Sequence, residues 1–328
     1  MKPTIAITIG DFNGIGPEIA LKAAVHPSTR KICTPVLVGP LNIFEHVRGT
    51  LKIRAKLEKA LFPGKQRSFL PVVDVGVGLW SDVRYGTVAT NAGKTAGVAI
   101  EKAVELCMAR KVQALVTAPV SKEAMQLAGY NFPGQTELIA LLSRSTRVIM
   151  ILVSSKMRVG LVTIHAPLRS IPDSISSEKI IEKARTIVES LKRDFRIQNP
   201  RIAILGLNPH AGEHGVLGSE EKEIIEPAVV EIKKLGIDAV GPLPADAFFG
   251  KQSYKSFDAI LAMYHDQGLI PVKMIDFGST VNFSAGLNVI RTSPGHGTAF
   301  DIAGKNKADI SSMLEAIKLA VRFSHSHD

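Results

Sequence analysis

The stretch Arg201-Ile-Ala-Ile-Leu-Gly-Leu-Asn-Pro-His210 is a short apolar run that stops on a histidine. Two other stretches have the same build, Arg158-Val-Gly-Leu-Val-Thr-Ile-His165 and Phe257-Asp-Ala-Ile-Leu-Ala-Met-Tyr-His265. Runs rich in Ile, Leu and Val that lack strict alternation are typical of strands buried on both faces. We therefore predict a sheet that is covered by helices.

Strand-like and helix-like runs alternate along the rest of the chain. This alternation indicates βαβ units, and hence an α/β fold with a mainly parallel sheet and helices on both faces. The predicted elements are strand 5–9 before helix 17–25, strand 36–38 before helix 41–47, strand 114–116 before helix 122–127, helix 177–193 before strand 202–207, helix 220–234 before strand 239–240, and a last helix over 310–323.

The composition is that of a globular protein with room for two domains. The chain has 328 residues, of which 45% are hydrophobic and 21% charged, and these values exclude a disordered chain. Its net charge of +10 is spread along helices without interleaved aromatic residues, which favours a solvated surface or an anionic ligand over nucleic acid. Cys33 and Cys107 are the only cysteines, so neither a disulfide framework nor a cysteine-ligated zinc is supported.

Two further features bear on location. No apolar stretch approaches the roughly 20 residues that a membrane helix needs. The N-terminus begins with a strand-like run and lacks the small-residue cleavage site of a signal peptide, so we expect a cytoplasmic protein without membrane contact.

The three run-ending histidines form the first candidate site. In open α/β sheets, ligands bind beyond the carboxyl ends of the strands, so His165, His210 and His265 could meet there. Imidazole is the commonest metal ligand among side chains, and a three-histidine site leaves a position open for substrate. The alternative is that each histidine only caps its own strand. The repetition, together with the flanking Asp266 and Glu213, favours a joint metal site.

Two glycine-containing segments give weak nucleotide signals. The first βα turn, Gly10-Asp-Phe-Asn-Gly-Ile-Gly-Pro-Glu18, lacks the third glycine of the dinucleotide fingerprint, and no acidic residue follows at the expected distance. The segment Asn91-Ala-Gly-Lys-Thr95 resembles the end of a P-loop, but Val88 occupies the required glycine position. We therefore predict a tight turn in the first segment and an amphipathic helix from Thr95 to Arg110 in the second.

Several polar residues are candidates for binding an anion. Gln135 and Thr136 follow a turn and open a helix, where free backbone N–H groups could hold an anion, although Thr136 could equally be a cap. Lys273, Asn282 and Arg291 lie among apolar residues, where an unpaired charge is costly. They either pair internally or bind a charged ligand, and arginine suits bidentate binding of carboxylate or phosphate.

The last motif, Gly295-His-Gly-Thr-Ala-Phe-Asp-Ile-Ala-Gly-Lys305, combines glycines with a short helix that contains Asp301. Such a loop can lie flat against a planar ligand with its backbone N–H groups facing outward. The alternative is a turn that only feeds a helix.

Taken together, these motifs are similar to those of the 4-hydroxythreonine-4-phosphate dehydrogenase family of pyridoxal phosphate biosynthesis. The resemblance runs nearly end to end. It is carried by Gly10-Asp11, Gly14-Ile-Gly-Pro-Glu18, Thr117-Ala-Pro-Val-Ser-Lys122, Gly134-Gln-Thr-Glu137, Thr163-Ile-His-Ala-Pro-Leu168, Asn208-Pro-His-Ala-Gly-Glu213, Tyr264-His-Asp-Gln-Gly268, Arg291-Thr-Ser and His296-Gly-Thr-Ala299. The chain also resembles, more distantly, isocitrate and isopropylmalate dehydrogenases.

The resemblance implies a divalent metal (Zn, Mg, Co or Mn) bound by His165, His210 and His265, in a site shared between the two subunits of a homodimer. It further implies substrate contacts and a cofactor, NAD or NADP, along the C-terminal loop. The implied substrate-binding residues are Gln135, Thr136, Lys273, Asn282 and Arg291, and the implied cofactor-binding residues are Gly295, His296, Gly297, Thr298 and Asp301.

The implied reaction oxidises 4-phosphooxy-L-threonine to 2-amino-3-oxo-4-phosphooxybutanoate, which loses carbon dioxide to give 3-amino-2-oxopropyl phosphate. Asp246, Asp266 and Lys273 are the candidates for the proton acceptor. The implied fold is the two-domain isocitrate dehydrogenase type, with the active site in the interdomain cleft. Breaks at 129–134 and 291–297 then predict one domain from 1–128 plus 292–328, and a second, 129–291, that carries the metal histidines and the dimer interface.

The chain departs from the family pattern at two positions. Gln135 replaces a usual histidine; glutamine keeps hydrogen bonding but cannot carry a proton or a charge. Phe12 replaces a usual proline in the first turn, which affects loop stiffness. The change at Gln135 keeps open a sister dehydrogenase of D-threonate or D-erythronate 4-phosphate. More remote alternatives are a metal-dependent hydrolase and a non-catalytic module that binds an anionic metabolite.

Overall fold

A computed structural model describes residues 2–60, 68–77, 79–276 and 278–326. They divide into two compact units. Unit 1 comprises residues 2–145 together with Leu287–Ser326, and unit 2 comprises Thr146–Gly286. The functional domain borders after residues 128 and 291 stay a prediction.

The strands are short and mostly buried. They are β1 (Thr4–Thr8), β2 (Thr34–Val38), β3 (Leu57–Lys59), β4 (Leu70–Val73), β5 (Ala114–Thr117), β6 (Ile149–Val153), β7 (Arg158–Leu161), β8 (Arg201–Leu205), β9 (Asp238–Leu243), β10 (Ala259–Ala262), β11 (Val281–Ala285) and β12 (Arg291–Pro294).

Helices occupy most of the connections between the strands. They are α1 (Gly16–Val25), α2 (Pro27–Ile32), α3 (Leu41–Thr50), α4 (Thr90–Met108), α5 (Lys122–Leu127), α6 (Gln135–Leu142), α7 (Ile171–Ser174), α8 (Ser177–Arg193), α9 (Glu226–Lys234), α10 (Ala245–Gly250), α11 (His265–Ile275) and α12 (Ser311–Ser324). None of the helices within the described ranges is long and apolar enough to span a bilayer.

The sheet of unit 1 is parallel in its registered pairs and runs in the order β3-β4-β2-β1-β5-β12. Side chains of successive strand residues point to opposite faces. Ile5, Ala6, Ile7 and Thr8 are all fully buried, so both faces of β1 are covered. This agrees with the predicted sheet that is covered by helices.

The strands of unit 2 run in the order β11-β6-β7-β10-β8-β9. β6 is antiparallel to β11 and to β7, whereas β7, β10, β8 and β9 are parallel neighbours. Helix α8 buries Ile180, Ala184, Ile187 and Leu191, the spacing of one apolar helix face. The predicted α/β class with a mainly parallel sheet is confirmed.

Candidate functional site

His165 and His265 lie side by side at one edge of unit 2. β7 and β10 are parallel neighbours, so their carboxyl ends point the same way and the residues that follow them emerge together. The ring centroids of the two histidines are 5.9 Å apart, with an interplanar angle of 40°. The structure therefore brings together two of the three predicted metal ligands.

Asp266 orients one of these imidazoles. His265 is the first residue of α11, and its Nδ1 lies 2.7 Å from Asp266 Oδ1. An ionised carboxylate only accepts hydrogen bonds, so Nδ1 donates and the Nε2 lone pair of a neutral ring is left for a ligand. Carboxylates hold metal-binding histidines in this way in many proteins.

His210 lies on an unusual turn that follows β8. Five successive residues, 210–214, have φ values between 42° and 76°, the left-handed region that favours glycine, although only Gly212 among them is a glycine. The side chain of His210 is exposed. β8 neighbours β10, so this turn leaves the same sheet edge as His265.

The buried Glu221 and the half-buried Gln267, to which the sequence gave no role, anchor this edge. Glu221, 2% exposed, accepts hydrogen bonds from the backbone N–H groups of Leu207 and Asn208, both at 2.7 Å, and from Asn208 Nδ2 at 2.9 Å. Gln267 donates through Nε2 to the Gly206 carbonyl at 2.6 Å and accepts from the Met263 N–H at 2.7 Å. These contacts tie the ends of β8 and β10 together.

The complete metal site stays a prediction. Among the described residues of the single chain, no group of three or more His, Cys, Asp or Glu side chains is placed to hold a metal ion. The residues present nevertheless fit a divalent cation, because His165 and His265 offer neighbouring imidazoles and Asp266 fixes the ring of His265.

The other predicted residues of unit 2 are spread over three elements. Lys273 lies half-buried on α11, Asp246 is exposed at the start of α10, and Asn282 is half-buried on β11. Asn282 donates through Nδ2 to the Met150 sulfur at 3.3 Å. Its Oδ1 is buried and has no hydrogen-bond partner among the described residues, so Asn282 could accept a hydrogen bond from a ligand.

Arg291 is the centre of a buried cluster in unit 1. It is the first residue of β12 and is 2% exposed. Thr117 Oγ1 accepts from its Nε at 3.0 Å and from its Nη2 at 2.8 Å, and Nη1 lies 3.4 Å from Thr136 Oγ1. Burial lowers the pKa of Arg291 to about 10, while the charge of Glu137 opposes this change, so the guanidinium stays charged at neutral pH.

Gln135 and Thr136 open α6, as predicted, and both belong to the Arg291 cluster. Gln135 Nε2 donates to the Ala118 carbonyl at 3.3 Å. Because a carbonyl only accepts, the amide nitrogen must face Ala118, and the amide oxygen is turned away. That oxygen is buried and has no hydrogen-bond partner among the described residues. The structure thus places three of the five predicted substrate-binding residues in one cluster of unit 1.

Asp11 is a buried carboxyl group of unit 1 that sequence reasoning did not single out. It is fully buried in the first βα turn, and its Oδ1 accepts from the Asn13 backbone N–H at 2.8 Å. Burial raises the pKa of Asp11 from 3.8 to about 6, against the lowering effect of backbone hydrogen bonds from Asn13 and Ser121. The signals in the sequence were its place between the glycines of the turn and the Gly10-Asp11 motif of the resemblance, neither of which gave it a role.

The predicted cofactor loop packs on that same turn. The Thr298 carbonyl accepts from the Ile15 backbone N–H at 2.9 Å, and a Cβ at Gly14 would lie 2.7 Å from the Thr298 oxygen. His296 Nε2 is buried without a hydrogen-bond partner in the described chain, while Gly297 and Asp301 are exposed. The orphaned His296 nitrogen and the exposed backbone fit a bound cofactor.

Comparison with known proteins gives a consistent result. The sequence model of the family described as "Pyridoxal phosphate biosynthetic protein PdxA" matches residues 31–320. The chain is 40% identical over 326 residues to 4-hydroxythreonine-4-phosphate dehydrogenase of Geobacter metallireducens, covering 98% of this chain and 96% of the relative. It is 43% identical over 325 residues to the enzyme of that name from Bacteroides thetaiotaomicron, covering 98% and 88%.

A solved structure agrees with the sequence relatives. The crystal structure of 4-hydroxythreonine-4-phosphate dehydrogenase from Klebsiella pneumoniae superposes with a TM-score of 0.89 at 38% identity, covering 99% of this chain and 98% of the other. Fold and sequence therefore point to the same group of proteins.

Proposed function

The chain belongs to the PdxA family of pyridoxal phosphate biosynthetic proteins, and on this premise we propose that it oxidises 4-phosphooxy-L-threonine with NAD or NADP. The product, 2-amino-3-oxo-4-phosphooxybutanoate, is a β-keto acid that loses carbon dioxide to give 3-amino-2-oxopropyl phosphate. The observation that carries the proposal is the pairing of His165 with His265, whose ring Asp266 orients.

In the proposed site, His165, His210 and His265 hold a divalent cation such as Zn, Mg, Co or Mn. The bound cation would lower the pKa of the substrate's C3 alcohol, and the nicotinamide would accept the hydride. Neutral imidazoles suit this task because, unlike carboxylates, they leave the charge of the cation uncompensated. Glu221 and Gln267 keep the supporting strand ends in place.

Asp266 is assigned to orienting His265, since its Oδ1 already accepts from that ring. This leaves Asp246 and Lys273 as the candidates for taking the alcohol proton. Lys273 shares α11 with His265. Lys273 lies seven positions after Asp266, which is about two helical turns, so the two side chains project from the same side of α11.

The anionic groups of the substrate are assigned to Arg291 and Thr136 in unit 1 and to Lys273 and Asn282 in unit 2. Arg291 suits this role because its guanidinium is charged, planar and held by neutral hydroxyl groups. The cofactor is assigned to the loop Gly295, His296, Gly297, Thr298 and Asp301, where the orphaned His296 Nε2 supports the assignment.

We further propose that the protein works as a homodimer in the cytoplasm. Ile270 and Met274, 54% and 82% exposed, lie one turn apart on α11, the helix that begins with His265. Neighbouring apolar side chains that are exposed together can belong to a surface that another protein covers. A second copy on this face would meet the helix that carries a metal ligand, which supports a site shared between subunits.

The test is a steady-state assay of NADH formation with 4-phosphooxy-L-threonine, before and after treatment with a chelator. We expect turnover that the chelator abolishes and added Zn²⁺, Mg²⁺, Co²⁺ or Mn²⁺ restores. Full activity in the chelated protein would exclude the metal role. Phosphate release in the absence of NAD would favour the hydrolase alternative, and binding without turnover would favour the non-catalytic one.

One observation, the glutamine at position 135, keeps a second substrate class open. Its amide oxygen is the end turned away from Ala118, so the group it meets must donate a hydrogen bond. Both an ammonium and a hydroxyl group donate, so D-threonate or D-erythronate 4-phosphate could replace the amino acid. Comparing kcat/KM for these substrates with kcat/KM for 4-phosphooxy-L-threonine distinguishes the two dehydrogenase functions.

A further inference from the structure

Resting on the proposed function, we propose that Thr117 is a positioning residue, which fixes the orientation of the Arg291 guanidinium toward the anionic group of the substrate. Thr117 is the last residue of β5 and is fully buried. β5 and β12 are parallel neighbours, with Arg291 opposite Leu115 and Thr292 opposite Val116. Thr117, two positions after Leu115, therefore points to the same face of the sheet as Arg291, and its hydroxyl reaches the guanidinium.

The two hydrogen bonds to Thr117 occupy one edge of the guanidinium. Nε at 3.0 Å and Nη2 at 2.8 Å both donate to the same Oγ1 atom, and these two nitrogens form the side edge of the planar group. An anion can then bind in a bidentate manner only at the end edge, formed by Nη1 and Nη2. Nη1, one of the two nitrogens of that edge, lies 3.4 Å from Thr136 Oγ1, so the edge lies beside the start of α6.

A hydroxyl group is suited to this position because it is neutral. A carboxylate at residue 117 would hold the guanidinium equally firmly, but it would cancel the charge that attracts an anion. Burial lowers the pKa of Arg291 only to about 10, so the held group remains a cation at neutral pH. Threonine is also stiff at χ1, so the acceptor atom itself has little freedom to move.

The next residue along the chain extends the same positioning role. The Ala118 carbonyl accepts from Gln135 Nε2 at 3.3 Å, and the Ala118 N–H donates to Thr8 Oγ1 at 3.3 Å. The end of β5 is therefore fixed to β1 and in turn orients two predicted substrate-binding residues, Arg291 and Gln135. Within this segment, only Thr117 acts through a side chain that can be replaced without changing the backbone.

The experiment compares Thr117→Val, which keeps the shape and loses the acceptor, with Thr117→Ser, which keeps the acceptor. The matched control is Thr292→Val. Thr292 is also fully buried, and its hydroxyl donates to the Ala316 carbonyl at 2.8 Å without touching the guanidinium. The readouts are KM for 4-phosphooxy-L-threonine, KM for NAD, kcat, and the Nε–H resonance of Arg291 in the ligand-free protein.

We expect Thr117→Val to raise KM for the substrate by about tenfold or more, because hydrogen bonds to charged groups are among the strongest in proteins. KM for NAD should stay unchanged and kcat should change less than KM. The Arg291 resonance should move or exchange faster with solvent. Thr117→Ser should restore both readouts, and Thr292→Val should match the parent protein.

A folded Thr117→Val variant with the parent KM and the parent Arg291 resonance would overturn the proposal, as would an equal loss in Thr292→Val. If the parent protein does not oxidise 4-phosphooxy-L-threonine, the proposed function is wrong. In that case the resonance still decides this inference: a shift in Thr117→Val that Thr117→Ser reverses supports it, and no shift rejects it.

Discussion

The Arg291 cluster of unit 1 differs in construction from the histidine edge of unit 2. We use the name histidine edge for the sheet edge that carries His165, His210 and His265. Arg291 is 2% exposed, and hydroxyl groups from β5 and α6 hold it. The side chain of His265 is 38% exposed, and His165 and His210 are also exposed. One set of residues is already fixed within a single chain, whereas the other is open.

This difference in burial suits the two regions to different roles in binding. Oriented and desolvated donors bind an anion without reorganising, which suits the Arg291 cluster to the anion-binding role proposed for it. Exposed imidazoles become a metal site only when a further ligand is added. In the proposed homodimer, the second copy would supply that ligand, which agrees with the pairing of only His165 with His265 among the described residues of one chain.

The largest expected effect comes from replacing His210. His210→Ala should lower kcat by at least about a thousandfold, on the scale of removing a group from the reacting centre, while the melting temperature changes little because the side chain is exposed. The measurements are steady-state NADH formation and thermal unfolding of the same preparation.

His214→Ala is the matched control for this prediction. His214 lies in the same left-handed turn, with φ of 56° against 53° for His210, and is also exposed. It should keep the parent activity. Equal losses in the two variants would show that the turn matters but the His210 imidazole does not, and inactivity with unfolding would favour a role in capping the strand.

A smaller effect, on metal affinity, is expected from replacing Glu221, which accepts hydrogen bonds from Leu207 and Asn208 just before the turn. Glu221→Gln places an amide nitrogen against donor groups of Leu207 or Asn208, which now donate to both carboxylate oxygens. Because residues that support metal ligands typically tune affinity by 10–100-fold, we expect zinc to bind about tenfold more weakly. Competition with a chromophoric chelator measures this, and the exposed Glu223→Gln serves as the control.

Unchanged zinc affinity in a folded Glu221→Gln variant would mean that the turn holds its shape without the buried carboxylate. The histidine edge would then be less dependent on buried support than the comparison with unit 1 implies.

The smallest effect on activity and a clear effect on stability are expected at Asp11. Its pKa is about 6 in the folded protein, above the ordinary 3.8. A raised pKa means that the folded state favours the protonated form, so this contribution to stability is complete below pH 3.8 and is lost as pH rises through 6. The loss amounts to about 3 kcal/mol.

Asp11→Asn removes this titration. Relative to the parent, the variant should gain unfolding free energy as pH rises from 4 to 7, measured by urea denaturation. Asp309→Asn is a control of opposite sign, because hydrogen bonds from Ser311 lower the pKa of Asp309. A pH-independent difference between Asp11→Asn and the parent would show that the Asp11 carboxylate is not desolvated.

The sequence was informative wherever an interaction is local. The apolar runs before His165, His210 and His265 predicted β7, β8 and β10, because a buried strand consists of consecutive apolar residues. The sequence did not predict that β6 runs antiparallel to both neighbours, because strand direction depends on which segments pair. The family resemblance implied that Arg291 binds the substrate, whereas composition and spacing alone left its role open.

The contacts that position the candidate site were beyond sequence reasoning for a physical reason. Thr117 and Arg291 are 174 positions apart, and only the parallel pairing of β5 with β12 brings them together. Glu221 holds the turn at residues 210–214, which has a left-handed backbone. The sequence did not predict this backbone, because four of the five residues are not glycine. Side chains that hold other side chains leave no spacing signal of their own.

We propose that the anion site is complete in one chain, whereas two chains complete the metal site. The most direct measurement is activity after pairwise co-expression of His165→Ala, His210→Ala and His265→Ala, each inactive by itself. If the three ligands are divided between subunits, a mixed dimer keeps one intact site of two. Two of the three pairs should then regain about a quarter of the parent activity, as random pairing in a twofold dimer requires.

The pair that stays inactive identifies the two histidines that belong to the same chain. Recovery in none of the pairs, with mixed dimers present, would contradict the claim and place all three ligands in one chain.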